Sequence, residues 1–278
     1  MKKFKLINNI TGWVIFLISA YVYISTIEPT ASFWDCGEFI AASFKQEIGH
    51  PPGAPLFLML GRIFTLFAGK NLELVPVTIN ILSALASAFT ILFLFWTITL
   101  LVKRIIIKSE NDYNTANILK IVITGIVGAL SFTFTDSFWF SAVEGEVYAT
   151  SSLFTAIVFW AILKWEQEFE KPNSNRWILF IAYMIGLSIG VHLLNLLAIP
   201  AIVLVYYFKK NEFSYKKLFE ALGVSALILI GILYIIIPFT IKIAAQFDLL
   251  FVNSFGLPVW SGFLFFIFAL FSLLIYGI

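Results

Sequence analysis

The stretch Trp177–Phe208, WILFIAYMIGLSIGVHLLNLLAIPAIVLVYYF, decides how this chain crosses a membrane. As one helix at ~1.5 Å per residue its 32 residues extend about 48 Å, too long for one pass of a ~30 Å hydrocarbon core and short for two. The flanking charges resolve the ambiguity. A single pass would place Lys209, Lys210, Lys216 and Lys217 opposite the other basic loops, against the positive-inside rule. Two short passes with a break near His192 put the amino terminus and the segments 103–120, 164–176 and 209–217 on one side, which then holds 14 of the 18 Lys and Arg residues. Non-helical backbone at membrane depth requires protein or a water-filled cavity to satisfy it, so a cavity near His192 is expected.

Working outward, apolar runs long enough to span lie at 10–27, 75–102, 118–135, 148–163 and 218–238, and a last one at 257–278. Together with the two short passes they predict an all-α, polytopic membrane protein of about eight transmembrane segments. Residues 1–278 read as one membrane domain, truncated at its carboxyl end, where the sequence stops inside an apolar run. The first run follows Lys2, Lys3 and Lys5, but it is long for a signal peptide and lacks a clear small-x-small cleavage site, so it reads as an uncleaved helix. Composition agrees: 60% hydrophobic and 12% charged residues give more apolar surface than a soluble domain of this size can bury. A net charge of +2 with dispersed basic residues excludes a nucleic-acid partner. The one cysteine, Cys36, excludes an internal disulfide and a cysteine-based zinc site.

The side opposite the basic loops carries two acidic loops, 28–74 and 136–147. In the first, Ala54–Ala68 is apolar but too short to span, and predicts an interfacial helix whose start is fixed by Pro51, Pro52 and Pro55. Upstream, Asp35-Cys36-Gly37-Glu38 sets two carboxylates three residues apart, on one face if helical. They can bind a cation or act as a general base, or one can simply cap the following helix. His50-Pro51-Pro52-Gly53-Ala54-Pro55 forms a stiff corner suited to a site wall, and His50 is either a donor to an anion or a solvated loop histidine. Arg62 is the best-placed cation for a lipid phosphate, or an arginine snorkelling to the interface. In the second loop Glu144-Gly145-Glu146-Val147-Tyr148 leads into a helix; on a helix only one of the two glutamates faces a cavity, and capping is the alternative role. Asp136 reads as a loop residue. His192 and Asn195 sit at the expected break, where the histidine either lines a site or satisfies a core carbonyl. No metal ligands are assigned: zinc spacings are poor, and a divalent Mg²⁺ or Mn²⁺ is compatible with the acids but not required.

These motifs, Asp35-Cys36-Gly37-Glu38, His50-Pro51-Pro52-Gly53-Ala54-Pro55-Leu56-Phe57, Ala142-Val143-Glu144-Gly145-Glu146-Val147-Tyr148 and Gly186-Leu187-Ser188 leading to His192, occur in the order seen in the glycosyltransferase family 117 membrane proteins, which the chain resembles over about 10–200. The resemblance implies the GT-C fold, relatedness to an animal protein O-mannosyltransferase, and an active site on the non-cytoplasmic face fed by a polyprenyl-phosphate sugar donor. It implies Asp35 as the catalytic carboxylate with Glu38 beside it, and Glu146 rather than Glu144 as the acid of the second loop. With the residue reading, it assigns donor-phosphate and substrate contacts to His50, Arg62, Glu146, Tyr148, His192 and Asn195. Expected partners are the lipid-linked donor, a protein Ser/Thr or glycan acceptor, and membrane lipids. The expected location is a bacterial inner membrane, with the amino terminus cytoplasmic and the site periplasmic. A transporter or lipid flippase, which would spread polar residues through the bilayer midplane, and a non-catalytic membrane scaffold are the competing readings.

Overall fold

A computed structural model describes residues 2–277, and the chain divides after Asn211 into two compact units. In the first, α1 (Lys2–Ser25) leads to two short helices, α2 (Cys36–Lys45) and α3 (Pro55–Thr65), the latter running on as a 3₁₀ turn, Leu66–Ala68. There follow α4 (Val75–Ile106), α5 (Thr115–Thr133), α6 (Asp136–Ala142), α7 (Val147–Glu168), α8 (Arg176–Ile189) and, after a 3₁₀ stretch Leu193–Ala198, α9 (Ile199–Lys210). The second unit holds α10 (Tyr215–Ile230), a π-helical turn Gly231–Ile236, α11 (Ile237–Phe255) and α12 (Ser261–Gly277). The protein is all-α. Among the described residues six helical stretches are long and apolar enough to cross a membrane, and Pro55–Ala68, Arg176–Ile189 and Ser261–Tyr276 are shorter apolar helices. Large apolar side chains such as Leu17, Val127 and Leu227 stand exposed on the long helices, an arrangement suited to a lipid solvent and costly in water.

In the first unit α4 is the packing axis, touching α1, α3, α5 and α7. Small buried residues, Ser83, Ala84, Ser87 and Ala88, let its neighbours approach closely, as membrane helices require. One core joins α1, α4, α5 and α6 around Tyr23, Ile91, Phe95 and Ile121; another joins α7, α8 and α9 around Val158, Trp165 and Ile181. A third, built from Phe39, Ile40, Phe57, Leu58, Ile79, Val147 and Val191, binds α2 and α3 to the starts of α4 and α7. That third core places the acidic loops.

The ends of the bundle are chemically distinct. At one, the Tyr23 hydroxyl donates to the Thr133 carbonyl at 3.0 Å, and the Asn80 amide donates to the carbonyls of Glu28 and Thr30 at 2.7 and 3.1 Å. At the other, buried Glu166 on α7 pairs with Arg104 on α4, and with Lys209 on α9 at 3.0 Å. The stretch 177–208 is broken where the sequence places its polar residues. The α8 helix stops at Ile189, and His192 is extended (φ −162°, ψ 143°), its Nδ1 accepting from the Leu194 amide at 3.1 Å. Carbonyls freed at that break find partners: Gly190 O accepts from the Leu56 amide at 2.7 Å, so the break and the otherwise unsatisfied start of α3 complete each other.

Three details differ from the sequence expectations. The run at 218–238 continues to Phe255, with Pro238 inside it, because the π-helical turn just before the proline loosens the repeat and accommodates its ring and missing N–H. Asp136 opens α6 instead of standing in a loop, its charge favoured at the helix amino end. Glu144 and Glu146 are not on a helix: Gly145 lies in a turn and Glu146 is extended (φ −120°, ψ 154°) at the amino cap of α7.

Candidate active site

The first acidic loop folds back on itself. Asp35 caps the amino end of α2 by its backbone alone, and its carboxylate makes no capping hydrogen bond. One turn later Glu38 receives the His50 backbone N–H at 2.6 Å and its ring Nδ1 at 3.0 Å, while His50 Nε2 stands 3.9 Å from Asp35 Oδ2. Two carboxylates therefore flank one imidazole. The hydrogen bonds from His50 hold the Glu38 carboxyl below the usual range, and the same carboxylate, with Asp35 beyond it, raises the His50 pKa above its ordinary value.

From the second loop, Glu146 enters the same region but is buried, like Glu144 beside it. Although Glu146 caps α7, its carboxylate forms no capping bond; it accepts from the Cys36 thiol at 3.5 Å, joining the two loops. Burial raises the pKa of both glutamates, and burial together with the two acids raises that of the Cys36 thiol, which therefore remains protonated. Burial also lowers the pKa of His192 and favours its neutral ring.

A cleft of ≈ 60 Å³ gathers Asp35, Phe39, His50, Pro52, Glu146, Tyr148 and His192. The rings of Tyr148 and His192 lie 5.4 Å apart on its wall. Tyr148 also lines a larger groove of ≈ 440 Å³, bounded by Leu94 and Thr90 of α4, Phe132 of α5, and Ser151, Thr155 and Phe159 of α7. An acid-lined cleft thus opens beside a largely apolar trough that runs along the spanning helices.

Two candidates lie elsewhere. The Arg62 guanidinium donates to the Phe44 carbonyl at 2.8 Å and rests 5.6 Å from the Phe44 ring, tying α3 to the end of α2. Asn195 is buried, donating to Ser188 Oγ at 2.9 Å and accepting from the Thr155 hydroxyl at 3.0 Å; it fixes the break and does not line the cleft. Sequence reasoning passed over Cys36 as a bridge between the loops, and over Asn80 and Ser83, which anchor both loops to α4. Polar residues inside the apolar run 75–102 were the available signal.

Residues 35–215 match the family described as the protein O-mannosyl-transferase TMEM260 N-terminal domain. The chain belongs to that family. Among curated proteins it is similar to a protein O-mannosyl-transferase tmem260 of Dictyostelium discoideum, 26% identical over 200 residues that make up 70% of this chain and 22% of that protein. A protein O-mannosyl-transferase TMEM260 of Mus musculus is 25% identical over 176 residues, 63% of this chain and 22% of that protein. The chain spans about a fifth of the length of these TMEM260 relatives. No solved structure matches it significantly. The match covers the first acidic loop from Asp35 onward, all of the second, α2 to α9 and the break at His192.

Proposed function

We propose that this chain is the membrane portion of a glycosyltransferase of GT-C type that moves a sugar from a polyprenyl-phosphate donor to an acceptor hydroxyl, that of a protein Ser or Thr. The observation that carries the reading is the position of Tyr148, which lines both the acidic cleft and the ≈ 440 Å³ groove. A lipid-linked sugar needs such a pair: an apolar trough for the isoprenoid and, at its mouth, polar groups around the anomeric carbon. Under this reading there are eight membrane segments, with Arg176–Ile189 and Ser261–Tyr276 joining the six long stretches, and the cleft faces away from the basic, cytoplasmic side.

In this mechanism Asp35, exposed and without a capping bond, takes the proton of the acceptor hydroxyl as its oxygen attacks the anomeric carbon. The bond from that carbon to the phosphate oxygen breaks, and polyprenyl phosphate leaves as the anion. Protonated His50 supports the charge on the leaving phosphate. Buried Glu146, neutral more readily than an exposed acid, adds less negative charge to the cleft and can donate to a sugar hydroxyl. The acids also fit a divalent cation. Ligand atoms of Asp35, Glu38 and His50 all lie within 4.8 Å of one another; a metal ion would be held by the two exposed carboxylates with retained waters, and would take His50 as a ligand only in its neutral form, in place of the protonated role above. Such an ion would neutralise phosphate charge there.

Incubating the full-length protein with a panel of polyprenyl-phosphate sugars should show sugar-dependent consumption of one donor. Absence of turnover with every donor would favour the transporter or scaffold readings. A second expectation concerns pH. His50 is cationic below its raised pKa and loses that charge as pH climbs through it, above the ordinary ~6.5. The KM for donor should therefore rise in mildly alkaline solution, whereas His50→Gln should show a KM already high and flat over the same range. A wild-type KM independent of pH between 6 and 9 would remove His50 from phosphate binding.

A further inference from the structure

At the end of the bundle remote from the acidic loops, the start of α1 and the final turns of α4, α7 and α9 line an open cavity of ≈ 660 Å³. Its acids are already engaged. Glu166 is held by Arg104 and Lys209, and Glu168 by Arg176 at 3.1 Å, Lys171 at 3.6 Å and the Trp177 indole at 3.0 Å. Three lining cations, Lys5, Lys103 and Lys164, have no carboxylate within ion-pair distance and no hydrogen-bond partner among the described residues. Lys103 and Lys164 are part-buried, with their ammonium groups 5.8 Å from the Phe4 ring and 5.7 Å from the Trp160 ring.

Positive-inside bias and the negative ends of three helices account for lysines at this level of the protein. They do not account for part-buried ammonium groups around a cavity that meet Glu110 and Glu168 only beyond ion-pair distance and are in direct contact with no anion, since desolvating a cation is unfavourable unless something pairs with it. We propose that this cavity binds a phosphate group, distinct from any at the acidic cleft, with Lys5, Lys103 and Lys164 as its principal ligands. Phe4, Leu100 and Ile107 on the cavity wall suit the glycerol and upper acyl carbons of an anionic phospholipid. A free phosphate or pyrophosphate offers the same head chemistry without those contacts.

The full-length protein, purified in a neutral detergent, can be titrated with phosphatidic acid, phosphatidylcholine and inorganic pyrophosphate, reading lipid retention by native mass spectrometry and protection against thermal unfolding. The expected result is retention of phosphatidic acid over phosphatidylcholine, weakened about tenfold or more in Lys103→Gln/Lys164→Gln and unchanged in Lys2→Gln/Lys3→Gln, which removes equal charge from exposed positions of α1. Pyrophosphate protection that the cavity variant abolishes, with no lipid retained, would support the site and assign it a soluble phosphate. Should the double variant fail to fold, Lys5→Gln, at an exposed position, should weaken binding about threefold or more. Equal loss in Lys2→Gln/Lys3→Gln, or no binding of either phosphate probe, would overturn the proposal.

Discussion

Asp35→Asn should reduce sugar transfer by about 10²–10⁴-fold, the scale of a lost general base, while the protein still inserts and accumulates normally. Separation of the two effects follows from local geometry. The Asp35 carboxylate makes no capping bond to α2, and the bond that starts the helix runs from the Phe39 amide to the Asp35 backbone carbonyl at 2.9 Å, which the substitution leaves intact. Stability should therefore change by no more than about 0.5 kcal/mol. Glu38→Gln offers a contrast, because Glu38 serves chiefly to hold His50 through two hydrogen bonds. It should raise the donor KM and return the His50 titration toward ~6.5, with a smaller effect on kcat than Asp35→Asn. The measurements are transfer of labelled sugar from a polyprenyl-phosphate donor, and membrane-fraction abundance for each variant. Transfer retained in Asp35→Asn at normal abundance would remove Asp35 from the catalytic role.

How much of this was legible in the sequence depended on what set each feature. Hydropathy alone locates α1, α4, α5 and α7, because a lipid-facing helix carries its environment in its own composition. The break at His192 was readable by joining length to charge placement, and the short helix α3 by its prolines and its apolar span too short to cross. The short helices α2 and α6 were not readable. Ten and seven residues carry little periodic signal, and they are held in place by packing, α2 mainly against α3 and α6 against α4, rather than by propensity. In the site, Asp35, Glu38 and His50 were legible as candidates on the same side of the membrane, with capping and solvation open as alternatives; that Glu38 holds His50 beside Asp35 depends on the fold of the loop between them. The contact of Arg62 with the Phe44 carbonyl was not legible, because it depends on the rotation of α3 about its axis, which only tertiary packing fixes. Cys36 likewise becomes a link between loops only once α2 lies against the start of α7.

That dependence on packing gives the second large expected effect. At the crossing of α2 and α3, Gly61 faces Ser43 so closely that a Cβ added to the glycine would lie 2.4 Å from Ser43 Oγ and 2.8 Å from its Cβ. The Ser43 Cβ is fixed to the helix backbone, so rotation of the hydroxyl cannot relieve the contact and the helices must part. Gly61→Ala should accordingly cost about 1–3 kcal/mol by overpacking. Separating the helices also shifts Glu38 on α2 relative to the His50 corner that leads into α3. A displacement of ~1 Å at a catalytic site is enough to lower transfer by about 10²-fold. The companion change identifies the cause. Ser43→Gly removes both clashing atoms, so Gly61→Ala/Ser43→Gly should recover most of the lost transfer, although Ser43→Gly alone weakens α2 by roughly 0.5–1 kcal/mol. A double-mutant cycle read in both thermal stability and transfer rate checks this, with a coupling of about 1 kcal/mol or more expected for side chains in direct contact. Simple additivity of the two substitutions would mean that the α2–α3 seam does not set the geometry of the acidic loop.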